Sequence, residues 1–144
     1  MRTKILTLGL LAGLSMAVQA ADVDVSKLPP AASKTGVTFD GDIKPIFEKS
    51  CFKCHGPDVE KPKGKLRLDT LKNVLKGGEN APDVVPGDVK KSGLLGSAAQ
   101  QGDEDDWMPP KNNKAKIAPL TPAEVGLIRE IGRASCRERV CVPV

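Results

Sequence analysis

The chain has 144 residues, with 22 Lys and Arg against 18 Asp and Glu, three Phe, one Trp and no Tyr. The positive surplus sits at the ends: residues 1–20 hold two basic side chains and no acidic one, residues 131–144 hold three and one, and the 110 residues between carry 17 of each sign. That balance excludes the basic footprint that nucleic acid or an anionic membrane requires, and so few aromatics make a core hard to fill at this size without a group supplied from outside.

In chain order, residues 1–20 read as a cleavable secretory signal peptide. Arg2 and Lys4 form a positive start, an apolar stretch runs from about Ile5 to Val18, and Val18 and Ala20 occupy the small-residue cleavage positions. The apolar stretch is shorter than the ~20 residues of a membrane span. The mature chain is therefore expected from about Ala21, in the periplasm and not inserted in a membrane. Residues 21–38, with Pro29 and Pro30, read as a flexible linker. Residues 39–130 read as one small domain. It opens with a helix over residues 41–50, where Ile43, Ile46 and Phe47 share a face. A short helix follows, capped by Asp69, running to Lys76 and stopped by Gly77 and Gly78. Another is expected over residues 92–99. The last begins at Thr121-Pro122, where Glu124 completes a capping box and Val125, Leu127, Ile128 and Ile131 form the apolar face.

At Gly132 this pattern stops. The ten residues IGRASCRERV resemble the translation of a common sequencing adapter. Residues 131–144 are accordingly expected to be non-native and are set aside with Cys136 and Cys141. The helix that remains has about nine good residues, fewer than the roughly 12–15 an isolated helix needs.

Two cysteines are left, in CFKCH, beside the chain's single histidine. C-x-x-C-H is the attachment motif of c-type haem. Thiols three residues apart fall on one side of a turn, where each can form a thioether with a haem vinyl group, and the adjacent imidazole can reach the iron. Cys51 and Cys54 are the candidate anchors and His55 the candidate proximal ligand. Three other uses compete: a thioredoxin-like redox pair, which wants a preceding strand; a zinc site, which wants four ligands; and a structural disulfide, which leaves His55 unexplained. Met108, in DDWMPPK, is the one methionine after the leader and the candidate sixth ligand, since His/Met ligation is the arrangement of cytochromes c. Pro109 and Pro110 would stiffen its loop.

The strings FDGDIKPIFEKSCFKCHGP, KGKLRLDTLKNVLKGG, VVPGDVKKSGLL, DEDDWMPP and LTPAEVGLIRE, in that order, resemble the planctomycete-type c-type cytochrome domains. The resemblance implies an all-α, class I cytochrome c-like fold, a small helical shell around one covalent haem c, with the terminal helices crossing. It implies a single-electron carrier and not an enzyme, because both axial positions of the iron are filled by His55 and Met108. Arg67, Lys65 and Trp107 are expected beside the haem carboxylates, and Leu66, Leu68, Leu71, Val85 and Leu95 on the pocket wall. Redox proteins are the expected partners, with no nucleic acid, and a monomer is expected. Two further readings stand beside this one: a gas-sensing module in which Met108 dissociates, and an electron-entry domain serving a larger dehydrogenase.

Overall fold

The computed structural model describes residues 22–79, 82–137 and 140–143; the expected leader over residues 1–20 lies outside them. Helix α1 (Lys44–Ser50) is entered through one turn of π-helix over Phe39–Ile43, with the Thr38 side chain accepting from Gly41 N. Phe39, Ile43, Ile46 and Phe47 are buried on one side, and the two phenyl rings meet edge to face at 6.2 Å. One further turn, α2 (Phe52–His55), carries the C-x-x-C-H motif.

The middle of the chain forms α3 (Leu71–Lys76) and α4 (Gly93–Ala98). The cap of α3 is Thr70, whose hydroxyl accepts from Asn73 N, one residue later than the sequence suggested. Asp69 instead accepts from the Asn73 side chain at 2.7 Å. Its helix ends at Gly77, whose φ of 75° lies where glycine alone is comfortable. Ser92, fully buried before α4, bonds Val85 N and the carbonyls of Val85 and Asp88, so the Pro-Gly turn between them is held from inside.

Helix α5 (Pro122–Arg133) starts as the capping box predicts: Glu124 N donates to Thr121 Oγ1, and Glu124 Oε2 accepts from Thr121 N. It has 12 residues, longer than expected, because the helical pattern carries Ile131 into the core at 0 % exposure and does not stop there. Val125 and Ile128 share that buried face, against α4 and the π-turn. Lys49 at the end of α1 pairs with Glu124, so the two terminal helices are also tied by charge. Between residues 22 and 133 the described chain holds helices and no strand, compatible with the all-α expectation. The only strands described, β1 (Ala134–Arg137) and β2 (Val140–Pro143), pair antiparallel within the stretch set aside as foreign.

The expected flexible linker is a packed strap. Val23, Leu28 and Val37 are buried in the main core. Val23 N bonds Lys90 O, Asp24 and Gln101 exchange two bonds, and Arg129 donates to Pro29 O at 2.7 Å. Gly126 lets the strap lie on α5: a Cβ there would stand 2.6 Å from Pro30 O. Proline content signalled an irregular path, and the three spaced apolar residues decide that it is packed. Among the described residues no helix is long and apolar enough to cross a membrane.

Candidate functional site

Helix α2 is a single turn whose N-cap is Cys51 and whose third and fourth residues are Cys54 and His55. Spacing of three brings both thiols to one side. Both cysteines are unbridged. Burial first, and the neighbouring Cys54 second, push the Cys51 thiol up to about 12, so it is a protonated thiol at neutral pH. Gly56 follows immediately because nothing larger fits: a Cβ there would lie 2.5 Å from Phe52 O and 2.8 Å from Phe52 Cβ.

His55 Nδ1 lies 3.1 Å from Leu66 O. A carbonyl only accepts, so Nδ1 is the donor of this bond and Nε2 is the ring nitrogen left to face a ligand. The carbonyl belongs to Leu66, whose backbone is extended, and burial alternates over Leu66, Arg67 and Leu68. Leu66 and Leu68 are buried and line a cavity; Arg67 points the other way. Its guanidinium donates to Gly56 O at 2.8 Å, Pro57 O at 3.1 Å and Val59 O at 2.8 Å.

That cavity has a volume of about 900 Å³, toward the upper end for a cofactor pocket. Cys51, Cys54, His55 and Met108 all line it, so the structure brings together the four residues that the sequence marked out. Met108 comes from a separate stretch of chain, held by Met108 N donating to Ser97 O at the end of α4. Asn113 locks the loop that follows, bonding Pro110 O, Ile117 O and Ile117 N. Leu94, Ile117 and the two prolines complete the apolar wall. Lys53, Lys63 and Lys114 border it, as do Glu79, Asp83 and Asp106, which leaves the border without formal net charge.

The other expected site residues lie elsewhere. Arg67 and Trp107 do not line the cavity; Trp107 Nε1 donates to Gly102 O at 3.3 Å, with Lys111 6.0 Å above the ring. Lys65 pairs with Glu79. Of the five expected wall residues, Leu66 and Leu68 line the cavity, whereas Leu71, Val85 and Leu95 do not; Leu94 takes the place of Leu95.

The donor set fits haem c. Two unbridged thiols, an imidazole whose Nδ1 is engaged by a carbonyl, and a soft thioether share a mostly apolar chamber. Among the described residues no three His, Cys, Asp or Glu side chains are grouped to hold a bare metal ion. Ser50, also on the wall, has a buried hydroxyl with no hydrogen-bond partner among the described residues.

Residues 51–112 match a protein-family model described as Planctomycete cytochrome C. The match begins at the first motif cysteine, takes in Met108 and supports a planctomycete-type cytochrome c domain, hence a haem-binding cytochrome with haem c as cofactor. No curated protein matches the chain, and no solved structure does.

Proposed function

With a planctomycete-type cytochrome c domain as premise, we propose that this protein is a periplasmic carrier of single electrons holding one haem c. Haem supplies an iron that cycles between ferrous and ferric states. Cys51 and Cys54 would hold it covalently through their sulfurs. His55 Nε2 and Met108 Sδ would be the protein's two ligands to its iron. Leu66, Leu68, Leu94 and Ile117, which line the cavity, would keep water from the bound group and so favour its less charged ferrous state. With His55 and Met108 both offered to the iron, the reading is one of electron transfer and not of catalysis.

The observation that carries this reading is the meeting of Cys51, Cys54, His55 and Met108, two separate stretches of chain, on one cavity wall. The test is to mature the protein with periplasmic haem-attachment machinery. Haem that survives denaturing electrophoresis and an iron–sulfur absorption band in the ferric state are expected. Met108→Ala should keep the haem, lose that band and lower the reduction potential. A colourless wild-type product would end the reading; an unchanged Met108→Ala spectrum would remove Met108 from it.

A further inference from the structure

We propose that Arg67 is a positioning residue for the axial histidine, acting through the backbone that holds the imidazole. This rests on the haem reading above. The segment from His55 to Val59 and the segment from Leu66 to Leu68 are laced together by five hydrogen bonds. One is the imidazole's own bond to Leu66 O, and one is Leu68 N to His55 O at 2.9 Å. The other three are the Arg67 fork on Gly56, Pro57 and Val59. Among the described residues no carboxylate pairs with Arg67, and its guanidinium holds these three carbonyls.

Geometry explains why the fork matters to the iron. Leu66 O is the acceptor that sets the imidazole's tautomer and rotation, and a stronger Nδ1–H···O bond makes Nε2 a better donor to ferric iron. Leu66 adjoins Arg67 in the chain, and His55 adjoins Gly56. Clamping Arg67 to Gly56 O therefore fixes the spacing between donor and acceptor from one residue beyond each. Without the fork, the two segments are joined only by the Leu68–His55 backbone bond and by the imidazole's own bond to Leu66 O. Arg is suited to this and Lys is not, because a planar fork spans several acceptors while an ammonium is a point.

The experiment compares haem-loaded wild type, Arg67→Ala and Arg67→Lys by redox titration, with exchange of the Leu68 amide proton as a second readout. In Arg67→Ala the ferric-to-ferrous ratio at fixed ambient potential should fall by up to about tenfold, the scale of one weakened hydrogen bond. Arg67→Lys should lie between, and Leu68 should exchange faster in both. If both variants lower thermal stability yet titrate at the wild-type midpoint, Arg67 merely braces the loop and the proposal is overturned. Should Arg67→Ala not mature, Arg67→Lys decides alone: a raised midpoint supports the proposal and an unmoved one overturns it. Absence of haem from wild type as well would overturn the haem reading instead, so the two failures are distinct.

Discussion

Gly56→Ala puts the strongest load on the site. The φ of Gly56 is −84°, which any residue adopts, so conformational strain is not the issue; space is. An added Cβ would sit 2.5 Å from Phe52 O, 2.8 Å from Phe52 Cβ and 3.0 Å from Phe52 Cα, where ordinary contacts begin near 3.4 Å. All three atoms belong to the backbone or first side-chain carbon of α2, and none can rotate aside. Residue 56 must therefore move by close to 1 Å. That breaks Gly56 N to Phe52 O, at 3.0 Å, and loosens Arg67 Nη1 to Gly56 O, at 2.8 Å. One neutral bond contributes about 1 kcal/mol and one charged bond about 1.5–3 kcal/mol. Against this, Ala stiffens the unfolded chain by about 0.4–1 kcal/mol. The net is a loss of roughly 2–3 kcal/mol, or a melting temperature lower by about 10 °C or more for a domain of this size. Thermal unfolding of the haem-loaded protein by circular dichroism measures it. A variant as stable as wild type, or more so, would show that chain entropy outweighs the contact and refute the reasoning.

Gly126→Ala tests the strap in the same way. Ala favours the helix by about 1 kcal/mol, but its Cβ would press on Pro30 O and dislodge the bonds from Arg129 to Pro29 and from Ala32 to Gly126; a net loss of about 1–2 kcal/mol in chemical denaturation is expected, and a gain would mean the strap is not seated there. Glu124→Gln probes acid sensitivity. The Lys49 hydrogen bond foremost, with help from Thr121 and against a burial term, holds the Glu124 carboxyl below its ordinary 4.5. Its stabilisation is thus complete above about pH 4.5 and lost as pH falls through the lowered folded value. The variant should melt earlier than wild type at pH 7, and the gap should close on acidification below that point; a gap independent of pH would mean the charge contributes nothing.

The motif, the capping box and the glycine-terminated helix were legible because each is a local pattern with a local physical cause. CFKCH needs one helical turn, and T-P-A-E needs only its own backbone. Met108 could be singled out because it stands alone between acidic residues and prolines. Arg67 could not be placed by residue chemistry, since a guanidinium suits a haem carboxylate and a peptide carbonyl equally. What decides it is the alternation in Leu66-Arg67-Leu68: with both leucines turned to the cavity, the residue between must turn away. That signal was present in the sequence, but the guanidinium's fit to a haem carboxylate pointed to the pocket instead. Leu94 in place of Leu95 is the same problem on a helix, where a shift of one position rotates a side chain by about 100°. The strap was misread because Pro and polar residues outweighed Val23, Leu28 and Val37, whose core is shared with residues far along the chain.

The lacing around His55 spans only eleven positions from imidazole to acceptor carbonyl, and Met108 reaches Ser97 across the same short interval. Each wall of the chamber is thus closed by its own small loop, at little entropic cost, while their mutual alignment depends on distant core contacts. A chain emptied of its cofactor should lose the alignment first: amide protons at Leu68 and Met108 would stay protected after those joining strap to α5 have exchanged. Two preassembled jaws, hinged by the rest of the molecule, would then await whatever enters between them.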